Sequence, residues 1–176
     1  MLLKENRDIY SMKKKEIKET SLSWIGLDKK QSKAVSGKLN TLLAGMQVYY
    51  QNLRGFHWNI QGEKFFELHV KFEELYTDLQ VKIDMVAERI LTLGSSPLHT
   101  FSDYLEDAPL KEAKNVSGGK DAVENIVLCL KTILILERDA LKEADKLGDE
   151  GTITMLTDFI TQQEKEVWMF SSWLKK

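Results

Sequence analysis

The stretch Phe65–Gly94, FFELHVKFEELYTDLQVKIDMVAERILTLG, decides the fold. Phe65, Leu68, Phe72, Leu75, Leu79, Ile83, Val86, Ile90 and Leu93 recur at spacings of three and four, which puts them on one side of an α-helix. No proline interrupts the run, and Gly94 stands where a helix commonly ends in a left-handed residue. Beside the apolar stripe runs a polar one: His69, Glu73, Tyr76, Gln80, Asp84 and Glu88. One face of this helix must be buried against other elements, and the rest of the chain supplies only more helices.

Outward from that stretch, Leu39, Leu42, Met46, Tyr49, Leu53 and Phe56 make a second stripe on its N-terminal side. On the C-terminal side, Val123, Ile126, Leu130, Ile133, Glu137, Ala140, Ala144 and Leu147 form a third, stopped by Gly148. Asp121 with Glu124 is expected as a capping box at its start. Ile153, Leu156, Ile160, Gln163, Val167, Phe170 and Leu174 form the fourth. Nothing alternates with period two, so no strand is expected. The links Asn59–Gly62 and Gly148–Gly151 are short and suit antiparallel neighbours. Ser95–Lys120 is long enough to cross from one helix pair to the other, and Phe101–Asp107 within it reads as one or two helical turns. The expectation is all-α: a ferritin-like four-helix bundle over residues 28–176, with one long crossover between helices 2 and 3 carrying a short helix. A basic, partly flexible tail is expected over residues 1–27.

Composition bounds the function. The chain has 176 residues, 43% hydrophobic and 30% charged, and a formal charge of −2, which argues against nucleic-acid binding over the whole surface. No segment approaches the ~20 apolar residues that span a bilayer, and the lysine-rich start lacks a signal-peptide apolar run. Cys129 is alone, which rules out an intrachain disulfide and fits a reducing compartment; amid Val127, Leu128 and Leu130 it reads as a small buried hydrophobe. A cytoplasmic protein without a membrane partner is expected.

The polar stripe carries the chemistry. His69/Glu73 and Asp84/Glu88 are i, i+4 pairs, each able to aim two ligands at one metal. Taken alone, such pairs are better explained by a solvated helix face. His69 and Asp84 lie on nearly the same face but ~22 Å apart along the axis, too far to share a metal in one subunit. Two copies of the helix, antiparallel about a two-fold axis near Tyr76–Gln80, would bring His69 of one to Asp84 of the other, twice over. His and carboxylate without thiolate suit Fe(II) or Zn(II). His57 can supply a second imidazole. Trp58 can pack over the site, donate an electron, or simply fill the core. His99, in the crossover without a ligand-like neighbour, reads as a surface residue.

These residues resemble the Dps family (DNA-binding protein from starved cells), the miniferritins. The resemblance is carried by Asn52-Leu-Arg-Gly-Phe-His-Trp-Asn-Ile-Gln-Gly62 with Phe65, Leu68-His69, Phe72, Asp84, Ala87-Glu88-Arg89 and Leu93-Gly94, and extends from about Asp28 to Leu174. It implies a hollow dodecamer that oxidises Fe(II) with hydrogen peroxide and stores the ferric mineral, protecting against oxidative stress. The implied di-iron ferroxidase site lies between subunits: His57 and His69 from one, Asp84 and Glu88 from the other. Glu73, where the family often has an aspartate, would serve the second iron. Zinc is a substitute for such a site. Ferritins proper build their di-iron site inside one bundle with Glu-x-x-His pairs, and this sequence contains none. Asp145 and Glu150 resemble acidic pore positions for iron entry, with Thr154 where some members carry a further aspartate; decorated helix ends are the plainer alternative. The family name also raises DNA. Residues 1–20 hold Lys4, Arg7, Lys13, Lys14, Lys15 and Lys18 against four acids, while the rest of the chain is net negative. Many tails on one shell could bind a duplex by avidity. The competing function is a DNA-compacting shell with weak or no ferroxidase activity.

Overall fold

The computed structural model describes residues 21–175. Four long helices, α1 (Lys29–Asn59), α2 (Phe65–Thr92), α4 (Gly119–Leu147) and α5 (Glu150–Leu174), surround one apolar core, and a short α3 (Phe101–Asp107) lies in the crossover. Among the described residues there is no strand, only isolated bridges at Leu22–Asp28 and Gln61–Gly118. The lysine-rich residues 1–20, to which the alternative DNA contact was assigned, lie outside the described residues.

The four stripes meet as their spacing demands. Leu39, Leu42, Met46, Leu53, Phe56, Phe72, Ile90, Ile126, Leu130, Ile133 and Leu156 are wholly buried. Each side chain of that size contributes roughly 1.5–3 kcal/mol on leaving water. Phe56 meets Phe72 edge-on at 6.1 Å, fixing α1 against α2 just where both carry histidines. Cys129 is buried, and burial pushes its thiol up to about 11, so it is an inert hydrophobe at neutral pH.

Helix ends follow local chemistry. Asp28 caps α1 by accepting from the Gln31 N–H at 2.9 Å, Thr100 caps α3 through the Asp103 N–H, and Asp149 caps α5 through the Thr152 N–H at 3.0 Å. Gly94 (φ 84°) and Gly148 (φ 70°) take the left-handed conformation that closes α2 and α4. The start of α4 differs from expectation: the helix begins at Gly119 behind Gly118, whose position has no side-chain cap, and Asp121 lies inside the first turn. There its charge favours the helix N-terminus without closing a capping box.

The crossover is latched to α1 by two asparagines. Asn40 donates to the Ser96 carbonyl and accepts from the Leu98 N–H. Asn52 does the same with Lys111 and Ala113. The crossover thus runs along the bundle and starts α4 beside the beginning of α2, where Gly119 abuts Leu68.

Candidate metal centre

The end of α1 and the first turns of α2 place His57 and His69 face to face. Their rings stack at 3.8 Å with 19° between planes. Nδ1 of His57 lies 2.8 Å from the His69 carbonyl oxygen, and Nδ1 of His69 lies 2.9 Å from the His57 carbonyl oxygen. A carbonyl can only accept, so each Nδ1 must carry the proton and donate it. In the neutral ring this leaves Nε2 with the lone pair, the form in which imidazole binds a metal. Phe65 stacks on His69 at 5.1 Å, and Tyr76 meets His57 edge-on at 5.4 Å, so the imidazole pair is clamped from both sides.

Glu73 follows one turn after His69 and is exposed. Asp84 and Glu88 are exposed near the other end of α2, with Asp84 lining a groove shared with Gln47, Gln80, Leu98 and Tyr104. Within one chain, no three His, Cys, Asp or Glu side chains among the described residues come together as a metal site. The two histidines are therefore assembled, and the two carboxylates Asp84 and Glu88 stand apart from them. Val81 and Met85, on the same helix as Asp84 and Glu88, are exposed; Phe101 (83%) and Leu105 are exposed on α3, which packs along α1 and has no buried residue.

Trp58 is not a core residue: it is 59% exposed, with the Arg54 guanidinium 4.5 Å over its ring. His99 is exposed on the crossover. Asp145 and Glu150 are exposed at the end of α4 and the start of α5. Between them Asp149 is buried, paired with Arg89 of α2 and bonded to the Thr152 hydroxyl at 2.5 Å, so the acidic turn is tied to the helix that carries Asp84 and Glu88.

One polar group escaped the sequence reading. Glu137 of α4 is fully buried and accepts from Gln163 of α5 at 2.7 Å; burial raises its carboxyl to about 8. Close by, the buried Lys82 pairs with Asp78 and donates to Gln162 at 3.0 Å. The signal was present: Glu137 and Gln163 interrupt two otherwise apolar stripes. The interior of the bundle is thus occupied by an acid–amide pair and a lysine.

Residues 37–176 match the ferritin-like domain. The DNA protection during starvation protein of Porphyromonas gingivalis is 45% identical over 151 residues, covering 86% of this chain and 95% of that protein. Among solved structures, the Dps protein of Vibrio cholerae O1, described as a member of a broad superfamily of ferritin-like diiron-carboxylate proteins, is 50% identical. It superposes with a TM-score of 0.87, covering 89% of this chain and 99% of that one. The Dps protein of Bacillus brevis is 38% identical, with a TM-score of 0.80 over 83% of this chain and 98% of its own.

Proposed function

The chain belongs to the Dps family of ferritin-like miniferritins, and we propose on that footing that it oxidises Fe(II) and stores the ferric product inside a shell of its own copies. The observation that carries this reading is the stacked His57–His69 pair, with each Nδ1 facing a backbone carbonyl, which in the neutral rings leaves Nε2 as the ligand atom.

The iron is substrate. His57 and His69 of one subunit hold it, together with Asp84 and Glu88 of the partner subunit, and Glu73 serves a second iron. Exposed Val81 and Met85, on the same helix as Asp84 and Glu88, are the kind of apolar side chains a second copy covers. Two Fe(II) ions give one electron each to one hydrogen peroxide. Its O–O bond breaks and both oxygens leave as water or hydroxide, so no one-electron reduction releases a radical. Carboxylates favour the ferric product by charge, and the neutral imidazoles retain affinity for the ferrous ion. The exposed acids Asp145 and Glu150 would draw cations toward the shell wall. The assembly is proposed as a dodecamer.

The test is anaerobic Fe(II) titrated with hydrogen peroxide in the presence of the protein. Oxidation near two irons per peroxide, with hydroxyl radical suppressed and iron kept in solution, is expected. Oxidation no faster than in buffer, with radical formed freely, would leave a shell without this chemistry and favour DNA compaction. Residues 1–20 carry net positive charge while the rest of the chain is net negative, which makes them the candidate for any duplex contact. Deleting them is expected to abolish any gel shift and leave iron oxidation unchanged.

A further inference from the structure

Three arginines fall within the described residues, and two of them sit on carboxylates: Arg89 on Asp149, and Arg138 on Glu164. Arg54 of α1 does not. Its guanidinium lies 4.5 Å over the Trp58 ring and 5.4 Å over the Tyr50 ring, one helical turn to either side. It is half-buried there and makes no hydrogen bond or ion pair with another described residue. Two aromatic faces hold the planar group in place and leave its N–H edge open. Tyr50 meets Tyr76 edge-on at 6.0 Å, and His57 stacks on His69. Arg54, between Tyr50 and His57 on α1, therefore lies beside the Glu73–Tyr76 stretch of α2. About a two-fold axis near Tyr76–Gln80, that stretch faces the part of a second α2 that ends at Asp84. Asp84 is exposed, one turn nearer the axis than Glu88, and its carboxylate has no ion pair among the described residues.

We propose that Arg54 is a docking residue between subunits: its guanidinium, aimed by Tyr50 and Trp58, pairs with Asp84 of the partner subunit and fixes the register of the two α2 helices. A guanidinium and a carboxylate meet as a planar fork, which sets position as well as attraction. The two-fold axis makes the pair twice in each contact. Before iron binds, it also gives a counter-charge to an interface that gathers Glu73, Asp84 and Glu88. This inference rests on the two-fold reading above and assigns Arg54 no contact with iron.

The experiment uses the full-length protein free of metal and reads, by sedimentation velocity, the concentration at which the assembly half-dissociates. Arg54→Glu and Asp84→Arg should each weaken pairing about tenfold or more, as close charge pairs at interfaces do. The double variant Arg54→Glu/Asp84→Arg exchanges the two charges across the contact and should regain most of that loss. In Arg54→Gln, which removes the charge alone, the salt dependence of dissociation should flatten. Thr77→Cys, exposed near the axis, tests the two-fold contact separately: a short bismaleimide should link two subunits through it, since Cys129 is buried. Cross-linked dimers without recovery in the double variant overturn the Arg54 inference and leave the two-fold reading standing. So do single variants that assemble as wild type does, or an unchanged salt dependence. The absence of a cross-linked dimer overturns both.

Discussion

At the scale of the residue, protons decide what the side chains can do. The Nδ1 atoms of His57 and His69 each face a backbone carbonyl, which in the neutral rings sets the proton on Nδ1 and leaves Nε2 for the proposed metal. Glu137 shows the converse. Burial raises its carboxyl from 4.5 to about 8, so it stays protonated at neutral pH. A protonated carboxyl facing an amide can accept from Gln163 Nε2 and donate to Gln163 Oε1, which answers the two buried oxygens otherwise without a partner. The linkage has a definite sign. Below about pH 4.5 both folded and unfolded chains keep this proton, and the stability it confers is fully present. As pH rises toward 8 the unfolded chain releases it while the folded chain does not, and stability falls across that window. Glu137→Gln keeps the shape and removes the titration. Its denaturation midpoint relative to wild type should rise between pH 5 and pH 8, by on the order of a few kcal/mol in stability. A difference independent of pH would show that Glu137 ionises freely in the fold. The polar stripe of His69, Glu73, Asp84 and Glu88 was legible from its spacing because one helix face repeats at three and four, whereas the stacking of His57 on His69 joins two helices and was not. The Glu137–Gln163 partnership was not, because periodicity places residues on faces without saying which polar groups meet.

At the scale of the element, helix extents and stops could be read closely, down to the short helix at Phe101–Asp107, because proline and glycine punctuate the chain and the apolar stripes are long. The beginning of α4 could not: Asp121 and Glu124 have capping chemistry, but packing of Gly119 against Leu68 starts the helix earlier. The latch between crossover and α1 was equally hidden, since an asparagine inside a helix carries no mark of its distant partners. Asn52 is buried and satisfies the Lys111 carbonyl and the Ala113 N–H together. Asn52→Ala would strand both groups and is expected to cost about 1–3 kcal/mol, read from chemical denaturation. Asn40, only half-buried, should cost less. Asp149 is a stronger case, being at once the cap of α5 and the buried partner of Arg89. Asp149→Ala is expected to cost about 3–5 kcal/mol, since Arg89 loses its counter-charge with the cap. A loss below about 1 kcal/mol would mean that the turn is not held by this pair.

At the scale of the whole molecule, the residues of the proposed site are divided between the two ends of α2. The histidines are gathered at one end, the carboxylates Asp84 and Glu88 stand exposed at the other, and Val81 and Met85 are exposed on the same helix as the carboxylates. Two-fold pairing along α2 would cover these side chains and close two sites at once. Complementation tests this most directly. Neither the His57→Ala/His69→Ala protein nor the Asp84→Ala/Glu88→Ala protein should oxidise Fe(II) appreciably. Unfolded together and reassembled, they should regain activity, because a mixed pair has one site with all four ligands intact; random pairing predicts about a quarter of the wild-type sites. No recovery in mixed assemblies, with both parents correctly assembled, would contradict a site shared between subunits.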